Sequence, residues 1–473
     1  MQKTKRLTTV TTFSESWTEE GTAKFDKMRS FSVLTAGYLA VGSAETLVEH
    51  EYGLHHDQLD DGFGYAPRVE VPRDDPSFAQ GYFLSDAASG PDNARCLDGT
   101  PALYYHRAGT GSGANKWFLH QQGGGWCYDL ASCVSRSTGS LGSTKADKNT
   151  SSLNSGYTSL DPRQNPLMYN WNSVEIRYCD GASVSGDNPS PVLVGDTTLH
   201  FRGRAILDAE IKSLLTDRGM DKATDVVVSG CSAGGLATFL HCDHWADAIG
   251  KATANQAKVA CMPDSGFFLD EDRAPTYGAK MRNVYMFQNS SSAGLNAACV
   301  AAHAATGDAE KCIFAQWTAA HIKTPTWPLQ SEYDSWQTGN VMGNGDAPTQ
   351  NEFGVNLTTI VQAQLLSQPQ HGVFLDSCHH HCGAWNGKLA RIEHDWNGAM
   401  ECPRARRHGR RARFAHALLT PARPTAPPHP HCFSRRPGDR LTELQLRAAR
   451  VVQQGLARTP QQGCLQASAS VPL

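Results

Sequence analysis

Runs of apolar, often β-branched residues bounded by small or polar residues predict buried strands along the middle of the chain. These runs cover residues 116–120, 225–229, 259–261, 327–333 and 372–375. Pro328 interrupts one of them, and proline is poorly tolerated inside a central strand. Residues 236–248 follow the second run with helix-compatible side chains. With a length of 473 residues, the pattern predicts one large α/β domain or two to three smaller ones.

A further apolar run, residues 31–41, lies near the start of the chain. Basic residues precede it at 27–29 and small residues follow it at 42–44, which is the order of a secretory signal peptide. The segment begins too late unless translation starts at Met28, and we take Met28 as the expected start. No apolar run of the chain reaches the 18 or more residues of a membrane span.

The formal net charge of −3 is an average over two unlike parts. Residues 1–402 carry 30 basic and 44 acidic side chains, whereas residues 403–473 carry 13 Arg against Asp439 and Glu443. The second part is also rich in proline at 420–430, so it is expected to be extended or disordered, with one short amphipathic helix at 441–456. Nucleic-acid binding would depend on this tail alone, and it is the weakest of the alternative functions.

Fourteen cysteines are more than a cytosolic enzyme usually contains, and this number favours an oxidising compartment. Three N-glycosylation sequons, at Asn149, Asn289 and Asn356, point the same way. The sequence therefore predicts a secreted protein.

The most specific local pattern is Gly230–Gly235, whose Gly-x-Ser-x-Gly motif stands between the strand at 225–229 and the helix at 236–248. In this context the motif is typical of a nucleophile elbow, where a serine occupies a tight turn from strand to helix. Ser232 is then the candidate nucleophile. A tight turn of purely structural use remains the alternative.

A serine nucleophile requires N–H donors for the oxyanion of its tetrahedral intermediate. A glycine-rich loop at 122–126 follows the strand at 116–120, which is where such donors lie in α/β-hydrolases. We assign the donors to the backbone N–H groups of Gly125, Trp126 and Ala233. A phosphate-binding loop is excluded because no Gly-Lys-Ser/Thr sequence follows.

The base and its acidic partner are expected downstream, in the order acid and then histidine. Residue chemistry alone does not select among His379, His380 and His381, and it leaves Asp334 and Asp264 as competing acids. The same histidines lie between Cys378 and Cys382, so a zinc site is an alternative, although a second matched pair of ligands is lacking.

These motifs together resemble the pectin acetylesterase family, whose animal relative is the Wnt-deacylating esterase Notum. The resemblance is strongest over residues 92–385 and follows one order of blocks: 96–101, 123–127 with Cys133, 171–172, 177–183, 185–187, 199–203, 230–235, 264–270, 333–337 and 377–382. The Gly-Cys-Ser of the elbow and the block 333–337 look closer to the plant-type esterases.

Carried over by position, the resemblance implies that Ser232 is the nucleophile, Asp334 the acid and His381 the base. It implies an α/β-hydrolase-like fold with a mostly parallel central sheet flanked by helices. It also implies secretion, removal of acetyl groups from cell-wall pectin, and no cofactor or metal. Cys127–Cys133 and Cys96–Cys179 are the implied disulfides, and Cys231 is expected to be a packed thiol.

The predicted organisation is a leader at 1–45 that contains the signal-like segment 28–44, an N-terminal extension at 46–91, the esterase domain at 92–402 and the tail at 403–473. The expected form is a monomer, with acetylated polysaccharide as its partner. Two alternatives stay open: an esterase for another acylated substrate, such as xylan, a small aryl ester or a lipidated protein, and an inactive carbohydrate-binding protein.

Overall fold

A ten-stranded sheet forms the centre of the protein, and its middle strands are parallel. The structure is a computed structural model and describes residues 75–291, 294–343, 346–383 and 468–470. The predicted leader, most of the N-terminal extension, the end of the esterase domain and the tail apart from 468–470 lie outside these residues.

The strands are named in chain order: β1 (Phe78–Phe83), β2 (Leu103–Arg107), β3 (Lys116–Gln121), β4 (Thr150–Ser152), β5 (Asn172–Ile176), β6 (Val192–Val194), β7 (Thr197–Leu199), β8 (Asp225–Cys231), β9 (Lys258–Asp264), β10 (Leu329–Ser331), β11 (Val373–Asp376) and β12 (Ser468–Ser470).

The α-helices are likewise numbered along the chain: α1 (Ser85–Ser89), α2 (Leu130–Ser137), α3 (Gly203–Asp217), α4 (Ala233–Ala252), α5 (Pro275–Phe287), α6 (Ala297–His303), α7 (Ala315–Thr318), α8 (Ser335–Asn340) and α9 (Ala347–Leu365).

The order of strands in the sheet is β12-β11-β10-β9-β8-β3-β5-β2-β1-β4. The six from β11 to β5 run parallel, while β12, β2, β1 and β4 pair antiparallel at the two edges. Strands β6 and β7 form a separate hairpin. The prediction of a mostly parallel central sheet flanked by helices is confirmed.

All five predicted strand segments are strands, with revised ends. β10 begins at Leu329, directly after Pro328, because proline has no N–H to donate to the sheet. β8 extends through Gly230 to Cys231, two residues past the β-branched run. β1 and α1 lie within the segment predicted as an N-terminal extension, and β1 pairs with β2 in the main sheet.

The central strand β8 is buried along all seven residues, and its alternate side chains enter two different cores. Val226 and Val228 pack in the larger core with Phe239 and Trp245 of α4, while Val227 packs on the opposite face with Phe118 of β3. This burial on both faces explains why the segment is continuously apolar. Because these strands are parallel, their carboxyl ends lie at one edge of the sheet, where α/β proteins place their sites.

Candidate functional site

Ser232 occupies the sharp turn between β8 and α4. Its backbone has φ +59° and ψ −124°, which is a left-handed conformation that a non-glycine residue adopts only under strain. Its N–H donates to the carbonyl oxygen of Asp264 at the end of β9, 3.0 Å away. The geometry is that of a nucleophile elbow, which lifts the serine hydroxyl above the carboxyl edge of the sheet.

The glycines on each side of Ser232 are required by close backbone contacts. A Cβ atom at Gly230 would collide with the carbonyl of Gly234, and one at Gly234 would collide with the carbonyl of Gln121 on β3. The turn from β8 to α4 is therefore so tight that neither position can hold a side chain. This accounts for the Gly-x-Ser-x-Gly spacing in terms of packing.

The structure brings His381 and Asp334 together. The Nδ1 atom of His381 lies 2.7 Å from Oδ2 of Asp334, and Asp334 is fully buried. The other carboxylate oxygen of Asp334 accepts from the N–H of Gln337, 3.0 Å away, so the same side chain caps the start of α8. The Nε2 atom of His381 has no hydrogen-bond partner among the described residues. This nitrogen is therefore free to accept a proton during a reaction.

The two neighbouring histidines have other partners. His379 Nε2 lies 3.1 Å from the hydroxyl of Thr338. His380 Nε2 lies 3.0 Å from Oδ2 of Asp376. Burial by itself would lower the pKa of His380, but the adjacent Asp376 carboxylate outweighs it and raises that pKa to about 9. His380 is therefore a buried cation in an ion pair at neutral pH.

Asp264, the competing acid, forms hydrogen bonds to residues of neighbouring loops instead. Its Oδ2 accepts from the hydroxyl of Tyr157 at 2.6 Å and from the N–H of Gly383 at 3.3 Å. The hydroxyl of the next residue, Ser265, accepts from the N–H of Cys382 at 2.8 Å. Burial raises the pKa of Asp264. These contacts anchor the loop that carries His381 to the end of β9.

A disulfide joins Cys231 to Cys382, with their Cα atoms 5.9 Å apart. The expectation that Cys231 is a packed thiol is therefore wrong, because its partner lies 151 residues further along the chain where no local pattern reveals it. The bridge links the residue before Ser232 to the residue after His381. It also removes Cys382 as a thiolate ligand for a metal.

Four further disulfides form in the described part of the chain: Cys96–Cys179, Cys127–Cys133, Cys242–Cys261 and Cys299–Cys312. The first two are the pairs implied by the resemblance. Cys299 lies with His303 and His321 in an arrangement that could hold a metal ion, but its sulfur is committed to Cys312. His303 Nδ1 is likewise 2.9 Å from Asp308. The described residues therefore offer no convincing metal site.

The three predicted oxyanion donors lie on the two segments that flank the elbow. Gly123, at the start of the loop, is so close to Cys231 and Ser232 that a Cβ atom would lie 2.9 Å from the Cβ of Ser232. Among the described residues, no acceptor pairs with the N–H groups of Gly125, Trp126 and Ala233. Free N–H groups beside a nucleophile are what oxyanion binding requires.

Ser183 connects these donor segments, and sequence reasoning missed it. Its hydroxyl donates to the carbonyl of Ala233 at 2.8 Å and accepts from the indole N–H of Trp126 at 2.8 Å. Its own N–H donates to the hydroxyl of Tyr178, 3.0 Å away. That hydroxyl in turn donates to the carbonyl of Gly125, at 2.7 Å. The sequence signal for Ser183 is its position in the block 177–183 of the family resemblance, which implies no role for it.

Two buried side chains keep this network in one protonation state. His241 Nε2 lies 3.0 Å from the carbonyl of Ser183 and must donate there, and burial lowers the pKa of His241 to about 3. Burial raises the pKa of Tyr178 far above its usual value. Both groups are thus neutral donors across the range in which an esterase operates.

An aromatic cluster borders His381. The ring of Phe268 is 6.2 Å and that of Trp336 is 6.3 Å from the imidazole, measured between ring centres. Trp126 packs edge-on against both rings, at 5.0 and 5.7 Å. Tyr277 closes the cluster at 5.7 Å from Trp336. The imidazole of His381, the candidate base, therefore borders an apolar surface, which limits the access of water.

The sequon asparagines differ in their surroundings. Asn149 and Asn289 are exposed, but the amide of Asn289 donates to the carbonyl of Asp187 at 3.0 Å. Asn356 lies within α9, and its amide donates to Glu271 at 3.0 Å. Asn149 is thus the best candidate for a glycan. No helix in the described part of the chain is long and apolar enough to cross a membrane.

Known proteins resemble this chain in both sequence and fold. A relative, pectin acetylesterase 11 of Arabidopsis thaliana, is 34% identical over 358 residues, which cover 67% of this chain and 86% of the relative. Palmitoleoyl-protein carboxylesterase notum2 of Xenopus laevis is 27% identical over 342 residues, covering 66% of each chain. The structure of the Wnt deacylase Notum from Drosophila superposes with a TM-score of 0.57 at 24% identity, covering 66% of this chain and 87% of that one.

The structural likeness confirms the predicted α/β-hydrolase-like fold. The relatives are ester hydrolases, and the chain is a carboxylic ester hydrolase like them. The family model described as pectinacetylesterase matches residues 75–395, which is most of the chain, so the protein belongs to the pectinacetylesterase family.

Proposed function

We propose that the protein is a secreted serine esterase that removes acetyl groups from pectin, with Ser232 as nucleophile, His381 as base and Asp334 as the acid that orients it. The observation that carries the proposal is the 2.7 Å contact between His381 Nδ1 and Asp334 Oδ2, beside a serine held in the elbow conformation. Five disulfides in the described residues support export through an oxidising compartment.

The reaction follows from these positions. His381 Nε2 takes the proton of Ser232 as Oγ attacks the acetyl carbonyl carbon, and Asp334 keeps the proton of the imidazole on Nδ1. The N–H groups of Gly125, Trp126 and Ala233 bind the oxyanion. The intermediate collapses to an acetyl-enzyme as His381 returns the proton to the departing sugar oxygen. Water activated by His381 then releases acetate and restores the serine.

Substitution of Ser232 by alanine tests the proposal. Acetate release from p-nitrophenyl acetate and from acetylated pectin should fall by about 10⁴-fold or more, with an unchanged unfolding temperature. Cys378→Ala, in the same loop as His381 but outside the proposed machinery, is a control that should retain activity. Full activity of the Ser232→Ala variant would refute the assignment.

A second candidate substrate class is an ester with a longer acyl chain, because relatives are named palmitoleoyl-protein carboxylesterases. The higher identity to pectin acetylesterase 11, 34% over 67% of this chain against 27% over 66% for notum2, favours acetyl instead. Comparing p-nitrophenyl acetate with the octanoate and palmitate esters decides between them, since a preference for palmitate would contradict an acetylesterase. A protein that binds pectin without hydrolysing any of these esters would favour the carbohydrate-binding alternative.

A further inference from the structure

The side chain of Gln337 is fully buried in the first turn of α8, three residues after Asp334. Both ends of its amide are paired with one backbone segment that follows β9. Its Oε1 accepts from the N–H of Leu269 at 3.0 Å, and its Nε2 donates to the carbonyl of Phe267 at 3.2 Å. Because a buried polar group is costly to leave unpaired, these two bonds hold the side chain in one orientation.

The backbone of Gln337 orients the candidate acid. Its N–H donates to Oδ1 of Asp334 at 3.0 Å, and the other oxygen of that carboxylate, Oδ2, lies 2.7 Å from Nδ1 of His381. Asp334 is fully buried, so bulk water cannot replace the bond to Oδ1. A displacement of Gln337 would therefore turn the carboxylate that contacts the candidate base.

Phe268 lies between the two residues that the Gln337 amide binds. Its ring centre is 6.2 Å from that of the His381 imidazole, and the ring packs edge-on against Trp126 at 5.0 Å. The two hydrogen bonds from Gln337 fix the backbone on both sides of this ring. The same residue thus supports the imidazole from a second direction, through the aromatic side chain that packs beside it.

We propose that Gln337 is a positioning residue of the esterase, which holds the Asp334 carboxylate and the Phe268 ring in the one arrangement that orients the imidazole. The inference rests on the proposed function, because it concerns the same acid and base. Gln337 is buried away from any substrate, and it acts only through these two neighbours. Loss of its side-chain bonds should therefore slow the chemical step rather than weaken substrate binding.

Gln337→Met preserves the length of the side chain and removes both amide hydrogen bonds. We expect kcat on p-nitrophenyl acetate to fall roughly 10- to 100-fold, which is less than the cost of altering the acid of a triad, while KM changes little. The matched control is Gln316→Met. Gln316 accepts from the N–H of Asp270 at 2.8 Å, so it anchors the same segment without bonding to Asp334. This control should lower the unfolding temperature and leave kcat intact, and equal losses of kcat in the two variants would overturn the inference.

Gln337→Glu makes the same test depend on pH. A protonated carboxylic acid can accept from one backbone group and donate to the other, as glutamine does, whereas a carboxylate can only accept. Burial raises the pKa of a glutamate side chain, so this variant should retain most of the wild-type kcat at pH 5.5 and fall to the level of Gln337→Met at pH 8. Gln316→Glu, whose bond needs only an acceptor, should follow the wild type at both values. Loss of kcat by the same factor at pH 5.5 and pH 8 in Gln337→Glu would contradict the inference.

A measurement without catalysis distinguishes failure of this inference from failure of the proposed function. The proton between His381 and Asp334 should give a strongly downfield NMR signal in the wild type, because charge-assisted hydrogen bonds are short and strong, and its loss in Asp334→Asn assigns it. We expect Gln337→Met to shift or weaken this signal and Gln316→Met to leave it unchanged, even if the wild type proves inactive as an esterase. A signal that does not depend on Gln337, or a wild-type spectrum without any signal that depends on Asp334, overturns the inference even if the protein is an active acetylesterase.

Discussion

Cys231 and Cys382 form a disulfide that links the chain immediately before Ser232 to the chain immediately after His381. Since consecutive Cα atoms are 3.8 Å apart, this bridge limits how far the candidate nucleophile and base can separate. The two groups follow different strands of the sheet, the central β8 and β11 near one edge, so without the bridge only noncovalent contacts would hold the loop in place.

Replacing both cysteines with serine should therefore reduce kcat as well as stability. We expect the free energy of unfolding to fall by about 2–5 kcal/mol, measured by urea denaturation, and kcat on p-nitrophenyl acetate to fall while KM changes little. Removal of the Cys299–Cys312 bridge serves as the control: it should lower stability and leave kcat intact. Equal kcat values in both double variants would argue against a positioning role.

Ser183→Ala should lower kcat without unfolding the protein. Loss of its hydroxyl frees the indole of Trp126 and the carbonyl of Ala233, so the proposed oxyanion donors lose a common support. Direct removal of a donor costs about 10²–10³ in kcat, and we expect a smaller effect, roughly tenfold, from an indirect support. Steady-state kinetics with p-nitrophenyl acetate measures it.

Ser185→Ala is the matched control for Ser183→Ala. Ser185 is also fully buried, and its hydroxyl bonds to Ala182 at 2.7 Å and to Ser290 at 2.9 Å, away from the donor segments. Its loss should affect the unfolding temperature more than kcat. A trifluoromethyl ketone, whose hemiketal oxyanion occupies the same position, should bind Ser183→Ala more weakly than Ser185→Ala.

His380 predicts a pH dependence of stability. Its folded pKa of about 9 lies above its ordinary value of 6.5, so the folded state holds a proton that the unfolded state releases. The stabilisation is fully present below pH 6.5 and is lost as the pH rises to 9. Urea denaturation at pH 6, 7.5 and 9 should show this decline in the wild type and a flatter profile in His380→Gln. A decline of equal size in the variant would remove His380 as its source.

Glu210 predicts a stabilising substitution. It is fully buried in α3, and neither carboxylate oxygen has a partner among the described residues. Burial, and then the nearby Asp180, raise the pKa of Glu210 in the folded protein well above 4.5. Above pH 4.5 the unfolded chain therefore releases the Glu210 proton while the folded protein keeps it, and the stability of the wild type falls. Glu210→Met should be more stable than the wild type at pH 7, by a margin that shrinks at pH 5. Thermal unfolding at both values measures it.

The features that the sequence predicts well are the ones that depend on neighbouring residues. The β-branched residues of β8 and the glycines of the elbow specified their own conformation, because burial on both faces and a tight turn leave few alternatives. Local sequence does not show which of His379, His380 and His381 is the base. The three adjacent histidines differ only in the carboxylate or hydroxyl group that contacts each one in the folded protein. The resemblance selected His381 and Asp334, which the structure places 2.7 Å apart.

Features that depend on distant partners were missed for a physical reason. The neighbours of Cys231 in sequence favour a packed thiol, but its bonding partner is Cys382, 151 residues away. Ser183 stands in a segment without regular secondary structure, and its importance arises only when Trp126 and Ala233 fold against it.

The order in which the cysteines leave the ribosome has a consequence for production of this protein. Three bridges close over 6, 13 and 19 residues, so their partners emerge almost together. Cys231, by contrast, emerges 151 residues before Cys382, and Cys242 follows it within a few seconds at ordinary synthesis rates. A premature Cys231–Cys242 bond would block both native bridges, so a host without a disulfide isomerase should yield mainly misbridged, inactive chains.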